Sequence, residues 1–459
     1  MDTIKIVNKL WKYCDILRDD GVSYLEYVTE LTYLLYLKML NETQRDKNFP
    51  PKIKWSELIK KNGIDQYNFY RKMLIDLGNS EDHRTKLIYS NANTSINKPS
   101  NLNLLIKNID TLDWYSAKVE GLGDLYEGLL EKNASEGKKG AGQYFTPRAL
   151  IDAIVELINP KHGEIIHDPA AGTGGFLIAA DRYIKKNTDD LFKLSQKEQK
   201  FQKTSAYVGI ELVPAAHLLG LMNLTLHDIE CNFINGDTLS NIGSNIQKSD
   251  VIITNPPFGN KKGGGEQELR DDLTFRSSNK QLNFLQHIYN NLKPGGRAAV
   301  VFPDNVLFVS NGKKIREDFF KKCILHTVLR LPFGIFYAAG IRTNVLFFER
   351  KTSTEQNNEN IWYYDLRTNH KNYSKTDPLT NDDLLDFKKS YSKNLKDRKE
   401  NKLFKKISMT DIVKNNFDLD IQFIKEYEHN FEDETNSSNN LLEKIQKNLD
   451  EAKESLKNV

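Results

Sequence analysis

Four short apolar segments, each followed at once by polar residues or glycine, constrain the fold of this chain most. They cover residues 164–167, 206–210, 231–235 and 250–254. Short apolar runs of this kind are typical of strands that are buried on both faces of a parallel sheet. Strand and helix signals alternate from about residue 143 to 350, with a turn predicted at residues 294–296, and they are weak from residue 350 to 430. The sequence therefore predicts an α/β fold with a doubly wound sheet, whose ligands bind at the carboxyl ends of the strands.

The fourth segment leads directly into the motif Asn255-Pro256-Pro257-Phe258. The side-chain oxygen of Asn255 and the backbone carbonyl of Pro256 are two acceptors suited to the N–H groups of a planar amine, whose lone pair must be drawn out of conjugation. The prolines fix φ and remove competing donors, and Phe258 offers a flat face for an extruded base. The motif indicates methyl transfer to such a nitrogen. A surface turn is the alternative, because Asn-Pro is also common turn chemistry.

The other three segments also end in residues suited to a ligand. Glycines after the first segment let backbone amides approach a ligand closely. Glu211, after the second, is placed to accept hydrogen bonds from ribose hydroxyls, and Asp237, after the third, to read the amino edge of an adenine. A tight turn and solvated acids are the alternatives for these features taken singly. The candidate cofactor contacts of the glycine turn are Asp168, Gly172, Thr173, Gly174 and Gly175.

The spacing of the glycine turn argues against a nicotinamide dinucleotide. Gly172-x-Gly174-Gly175 differs from the G-x-G-x-x-G pattern, and Glu211 lies much further along the chain than the roughly 20 residues expected for that class. S-adenosylmethionine fits better because it has no pyrophosphate. The turn then has only to accommodate the methionine portion, while the acids at the next two strand ends hold the nucleoside.

Taken in order, these motifs resemble those of the modification subunits of type I restriction-modification systems, which are adenine-N6 DNA methyltransferases. The resemblance covers roughly residues 1–430. It rests on the segments 24–38, 140–148, 168–176, 209–212, 235–237, 255–258, 331–334 and 340–344. It implies that S-adenosylmethionine is the cofactor and that residues 255–258 receive the target adenine. It also implies that the final strands of the sheet include the antiparallel strand typical of methyltransferases that use this cofactor.

The loop at residues 143–148, upstream of the first strand segment, is a further part of the predicted cofactor pocket. By resemblance it lines the pocket together with residues 173–175 and Glu211. From chemistry alone, its hydroxyl, guanidinium and aromatic groups suit a methionine carboxylate and a cationic sulfonium. The alternative is an ordinary helix entry, with Thr146 as the N-cap and Pro147 at the first helical position. The candidate residues of this loop are Gln143, Tyr144, Phe145, Thr146, Pro147 and Arg148.

The chain is predicted to have four parts. Residues 1–135 form a mainly helical domain, because apolar residues recur at helical spacing between residues 22 and 39. Residues 136–142 are a glycine- and lysine-rich linker, and residues 143–430 form the methyltransferase domain. Residues 431–459 form a C-terminal helix that binds a partner.

The C-terminal helix carries a heptad seam of five apolar residues. A helix this short is marginal in water by itself, so it is expected to pack on another subunit or back on its own domain. By resemblance the other subunit is the DNA-specificity chain, which binds two modification subunits and selects the sequence in double-stranded DNA. A restriction nuclease-translocase subunit is an optional third partner. The seam residues are Leu442, Ile445, Leu449, Ala452 and Leu456.

Composition agrees with a large enzyme that shares its grip on DNA. The chain has 459 residues, of which 39% are hydrophobic and 28% charged, and its net charge of +3 is too balanced for a broad basic face. Cys14, Cys231 and Cys323 form no C-x-x-C pair, so neither a disulfide framework nor a metal site is expected. With no signal peptide and no membrane span, the expected location is the cytoplasm.

The sequence is compatible with two other functions, and one of its loops has two interpretations. An Asn-Pro-Pro-aromatic motif also serves enzymes that methylate a protein glutamine, although these usually have Tyr at the fourth position. A non-catalytic scaffold with the same fold is the other alternative. The polar, glycine-rich segment 259–267 is either a lid that orders on DNA or a disordered surface loop.

Overall fold

A computed structural model describes most of the chain. The described residues are 6–12, 17, 21–112, 122–136, 146–258, 270–336, 340–352, 359–368, 372–374, 376–392 and 394–420. Several sequence predictions lie outside these residues. They are the cofactor contacts at Gln143, Tyr144 and Phe145, residues 137–142 of the predicted linker 136–142, the loop 259–267 and the predicted C-terminal helix 431–459. Residue 136 itself is the last residue of a helix rather than the first of the linker.

The N-terminal region is helical, as predicted. Helix α1 begins after Ser23, whose hydroxyl accepts from the Glu26 amide while the Glu26 carboxylate accepts from the Ser23 amide. Such a capping box satisfies two donors at the helix start. Residues 6–12 are helical as well, and the helices after them are α1 (Tyr24–Glu42), α2 (Trp55–Leu58), α3 (Gly63–Gly78), α4 (His83–Ile88), α5 (Pro99–Asp110) and α6 (Leu122–Glu136).

The apolar stripe predicted on α1 forms the core of this helical region. Tyr27, Leu31 and Leu34 are fully buried in one cluster with side chains of α3, α5 and α6. Leu219 and Met222 belong to the same cluster, although they come from the methyltransferase part of the chain. The two parts are therefore joined by a continuous apolar contact. In the described residues, no helix has the length and apolar character needed to cross a bilayer.

The methyltransferase part contains one sheet whose described strands number nine, in the order β3-β2-β1-β4-β5-β7-β6-β8-β9. Strands β1 to β5 pair in parallel, and β7 is antiparallel to both β5 and β6. This confirms the doubly wound sheet and its antiparallel strand. The strands are β1 (Ile166–Asp168), β2 (Tyr207–Glu211), β3 (Asn232–Asn235), β4 (Ser249–Thr254), β5 (Leu292–Pro303), β6 (Cys323–Leu331), β7 (Thr343–Arg350), β8 (Asn360–Asp365) and β9 (Phe404–Ser408).

Helices cover both faces of the sheet. Alternate residues of β4 enter different clusters, with Val251 and Ile253 on one side and Ile252 on the other. Helices at residues 148–158 and 175–187 pack on the first face, and helices at residues 280–291 and 313–322 on the second. The helices after α6 are α7 (Arg148–Ile158), α8 (Gly175–Asn187), α9 (Gln196–Thr204), α10 (Pro214–Leu226), α11 (Asn241–Ser244), α12 (Lys280–Asn291), α13 (Asn305–Phe308), α14 (Lys313–Lys322), α15 (Leu385–Ser390) and α16 (Met409–Lys414).

The structure differs from the sequence prediction at two places in the sheet. The turn expected at 294–296 lies within β5, where Gly295 has φ +76° and the pairing with β4 shifts register near Ser249. The glycine allows the strand to bend without ending. Strands β8 and β9 extend the sheet beyond β6 in a segment where the sequence has only weak strand signals.

A buried carboxyl group joins three segments of the helical region. Glu30 on α1 is 1% exposed, and its two oxygens accept hydrogen bonds from the Tyr70 hydroxyl at 2.7 Å and the Ser95 amide at 3.0 Å. Burial raises the pKa of Glu30 from 4.5 to about 7, against the opposing effect of these hydrogen bonds. The folded protein therefore holds this group in its protonated form at mildly acidic pH.

This pKa predicts a pH dependence of stability. A raised folded-state pKa contributes stability that is complete below pH 4.5 and lost as pH rises through about 7. The loss is on the order of 3 kcal/mol. We expect the urea midpoint to fall between pH 5 and pH 8 in the wild type, and to fall less in Glu30→Gln. Glu81→Gln, at an exposed position, is the control. Equal pH profiles for Glu30→Gln and the wild type would contradict the assignment.

Candidate active site

The carboxyl ends of β3, β2, β1 and β4 lie side by side, so their terminal residues converge on one cavity of about 270 Å³. This is the position at which ligands bind in open α/β sheets. Of the predicted residues that the structure describes, Pro147, Gly174, Pro256 and Phe258 do not line this cavity. Those that line it are Thr146, Arg148, Asp168, Gly172, Thr173, Gly175, Glu211, Asp237, Asn255 and Pro257.

The glycine turn between β1 and α8 forms the floor of the cavity. Gly172 and Gly174 have φ values of +53° and +79°, a left-handed conformation that other residues rarely adopt. A side chain on Gly174 would also approach Leu224 to 3.3 Å. The turn therefore needs glycine at these positions, and it presents the first turn of α8 to the cavity through Gly175 and Phe176.

The Glu211 carboxylate holds the ends of β1 and β2 together. One oxygen accepts from the Gly172 amide and the other from the Val213 amide, each at 2.8 Å. Burial raises the pKa of Glu211, and these amides oppose the rise. A carboxylate has about four acceptor positions, so about half of its capacity remains for the predicted ribose hydroxyls. The structure thus adds an organising role to the predicted binding role.

The acids at the ends of β1 and β3 lie in different environments. Asp168 is 1% exposed, its Oδ1 accepts from the Ala170 amide at 3.1 Å, and burial raises its pKa to about 7. Asp237 is half-buried, and its Oδ1 accepts from the Leu239 amide at 2.8 Å. Asp168 mainly supports the turn, whereas Asp237 lines the cavity and its second oxygen accepts no hydrogen bond from a described residue.

Asn255 is linked to the loop before α7. Its Nδ2 donates to Oγ1 of Thr146 at 3.0 Å, and its Oδ1 is buried without a hydrogen-bond partner among the described residues. An unpaired buried acceptor costs roughly 1–3 kcal/mol, and such groups are rare in native structures. The oxygen predicted to accept from an amino group is therefore buried at the site, with no described residue bonded to it. Pro257 is held nearby through a hydrogen bond from Gln281 to its carbonyl at 3.0 Å.

The helix-entry alternative for Thr146 is wrong by one residue. Helix α7 begins at Arg148, with Pro147 as the N-cap, and no side chain of the described residues caps it. The carbonyl of Pro147 accepts the first amides of the helix instead. The Thr146 hydroxyl is consequently available to Asn255. This contact joins the two motifs that the sequence suggested separately for cofactor and amine.

Phe258 is half-buried beside the site rather than in the cavity wall. Its ring meets that of Phe336 edge to face, with centroids 5.4 Å apart and planes at 83°. Pairs in this geometry are favourable and hold the ring in one orientation. The stacking role predicted for Phe258 remains a prediction.

Two buried residues at the cavity carried no signal in the sequence. Glu127, on α6 of the helical region, accepts from Nη2 of Arg148 at 2.5 Å. Burial raises the pKa of Glu127, and Arg148 opposes this. Asn223 on α10 donates through Nδ2 to the carbonyl of Thr173 at 3.0 Å. Both lie on helices, where strand-end reasoning cannot find them.

The fold and the site together define the class of α/β methyltransferases. A glycine turn after β1, an acid at the end of β2, and Asn255 and Pro257 of the motif after β4 line one cavity, and β7 runs antiparallel to its neighbours. The family model described as N-6 DNA Methylase matches residues 117–434. A second model, described as the HsdM N-terminal domain, matches residues 6–109. The chain belongs to the N-6 DNA methylase family.

Known relatives agree with this assignment. The chain is similar to the Type I restriction enzyme EcoKI methylase subunit of Escherichia coli K12, with 47% identity over 408 residues, covering 85% of this chain and 77% of the relative. It is 35% identical to the EcoEI methylase subunit of Escherichia coli, over 73% of this chain and 69% of the relative. These relatives and the family make the chain an adenine-N6 DNA methyltransferase, of the kind found as modification subunits of type I systems.

Solved structures show the same fold. The crystal structure of the EcoKI M protein matches with a TM-score of 0.57 and 40% identity, over 91% of this chain and 89% of that one. A chain from a study of type I restriction-modification complex assembly matches with a TM-score of 0.75 and 24% identity, over 96% of this chain and 98% of that one. Membership of this methyltransferase family implies that S-adenosylmethionine is the methyl donor.

The contact between Thr146 and Asn255 predicts a difference between two substitutions. Thr146→Val removes the acceptor that orients the Asn255 amide, so we expect the rate of methyl transfer to fall on the order of tenfold or more. Thr146→Ser keeps the hydroxyl and should stay close to the wild type. The rate is measured as labelled methyl groups incorporated into unmodified host DNA by the protein purified with its natural partners. Equal losses in both variants would show that the hydroxyl is not the group that matters.

Proposed function

We propose that this chain transfers a methyl group from S-adenosylmethionine to N6 of adenine in double-stranded DNA, as the modification subunit of a type I restriction-modification complex. The observation that carries the proposal is the buried Oδ1 of Asn255 after β4, which has no hydrogen-bond partner in the described part of the chain. The relatives are methylase subunits of restriction enzymes, which favours DNA over the protein-glutamine alternative.

The cavity suits the proposed cofactor in the chemistry of its donors and acceptors. Glu211 and Asp237 offer acceptors for ribose hydroxyls and for the adenine amino group, and the glycine turn offers close backbone approach for the methionine portion. Arg148 offers a guanidinium for a carboxylate. When bound, the sulfonium supplies an electrophilic methyl group. By sequence, Gln143, Tyr144 and Phe145 complete this pocket.

The residues of the chain activate the amine without a strong base. Oδ1 of Asn255 and the carbonyl of Pro256 accept the two N–H groups of the target adenine, which pulls its lone pair out of conjugation with the ring. The same acceptors stabilise the positive charge that develops on nitrogen. Thr146 keeps the Asn255 amide in the required orientation, because Nδ2 is committed to its hydroxyl. Phe258 stacks on the extruded base.

The target sequence is proposed to be selected by another chain. The net charge of +3 is small for a protein that binds DNA by itself. We propose a DNA-specificity subunit that binds two copies of this chain, with an optional restriction nuclease-translocase subunit. The helix predicted at 431–459, which lies outside the described residues, is the proposed contact, because its heptad seam requires a partner surface.

Asn255→Ala tests the catalytic role. We expect methyl transfer to fall by roughly 100-fold or more, since removal of one preorganised polar group has effects of this size. The affinity for S-adenosylmethionine, measured by calorimetry, should change little because the amide faces the acceptor. Asn245→Ala, at an exposed position, is the control. Loss of cofactor binding in a folded Asn255→Ala variant would place this residue in the cofactor site instead.

The cellular function is tested by mapping modified adenines in host DNA with the gene present and deleted. We expect a two-part recognition sequence to lose its methylation on deletion. The wild-type gene should restore the pattern and Asn255→Ala should not. An unchanged pattern in the deletion strain would refute the proposed function.

A further inference from the structure

Three polar side chains at the cavity have bonding capacity that the proposed chemistry on the amine does not use. Glu127 lies on α6 of the helical region, Arg148 begins α7, and Asn223 lies on α10. All three line the same cavity. Their unused donors and acceptors define what ligand group this wall can bind.

The Asn223 side chain presents a buried acceptor. Asn223 is 1% exposed, and its Nδ2 donates to the Thr173 carbonyl at 3.0 Å. This contact determines the orientation of the amide, because a carbonyl oxygen can only accept. Oδ1 is then left buried and without a partner among the described residues. A buried acceptor in this state is unfavourable unless a ligand supplies a donor.

The Glu127 carboxylate presents a second acceptor and a negative charge. Its side chain is 8% exposed, and Oε2 accepts from Arg148 at 2.5 Å. No residue in the described part of the chain donates a hydrogen bond to Oε1. A divalent ion is a poorer occupant, although Asp124 and His227 offer ligand atoms nearby. The Glu127 oxygen that lies 3.9 Å from His227 is the one that Arg148 already uses.

Arg148 supplies the opposite charge on the same wall. It is 32% exposed, and the contact with Glu127 is its single hydrogen bond to a described residue. A guanidinium has five N–H donors in total, so most of them remain available for a carboxylate. A cation and two acceptors that line the same cavity complement a zwitterionic α-amino acid.

We propose that Glu127 and Asn223 bind the ammonium group of the methionine portion of the cofactor, while Arg148 binds its carboxylate. This inference rests on the proposed cofactor, S-adenosylmethionine. The ammonium has three donors, of which one goes to Oε1 of Glu127 and one to Oδ1 of Asn223. The contact between Asn223 and Thr173 places this amide beside the turn that accommodates the methionine portion. The helical region thereby contributes a cofactor-binding residue of its own.

The test compares the binding of three ligands to the full-length chain by calorimetry. S-adenosylmethionine carries both charged groups, its decarboxylated analogue keeps only the ammonium, and methylthioadenosine lacks both. We expect Glu127→Gln and Asn223→Leu to lower the affinity for the first two ligands by about tenfold or more, which is the size of effect for a lost hydrogen bond to a charged group. Binding of methylthioadenosine should stay the same, which also shows that the variants are folded. Glu131→Gln, exposed on the same helix, should change none of the three affinities.

Each other outcome has a distinct meaning. If Glu127→Gln weakens S-adenosylmethionine but not the decarboxylated analogue, Glu127 acts only by positioning Arg148, and the ammonium assignment is wrong. If all three ligands are weakened equally, the substitutions disturb the whole cavity and the inference fails. If the wild-type chain binds methylthioadenosine but not S-adenosylmethionine, the proposed cofactor itself is wrong, and the inference falls with it.

Discussion

The carboxylate of Glu211 is the contact on which the rest of the site depends. It accepts one amide from the glycine turn after β1 and one from the segment after β2, so two strand ends that are distant in sequence share one set of hydrogen bonds. Burial makes these bonds strong and their loss costly. The left-handed glycines of the turn can be maintained because this acid holds the Gly172 amide inward. The cavity floor is thus determined before any ligand binds.

A second set of contacts connects the cavity to its surroundings. Thr146 joins the segment before α7 to Asn255, and Glu127 joins the helical region to Arg148. The apolar cluster that includes Leu219 and Met222 also joins the helical region to the methyltransferase part of the chain. The helical region is therefore more than an appended domain, because it supplies a wall of the cavity. Movements of this region relative to the sheet would change the cavity directly.

Much of the sheet and the chemical site could be predicted from sequence. Short apolar runs ending in Asp168, Glu211 and Asn255 identified the strands, since a parallel strand buried on both faces requires continuous apolar residues. Strands β8 and β9 were not recognised, because their identity depends on pairing with β6 rather than on local pattern. The bend at Gly295 was taken for a turn for the same reason: only the neighbouring strand shows that pairing continues.

The sequence by itself determined the order of the strand ends, the residue types at each, and through them the family and its chemistry. The tertiary structure alone decided which side chains are committed to each other. In the folded chain the Thr146 hydroxyl accepts a hydrogen bond from Asn255 instead of capping a helix, and Glu127 and Asn223 line the cavity. The physical reason is that helical periodicity specifies a buried face but not its neighbour. Hydrogen-bond partners on different helices are set by how the elements pack.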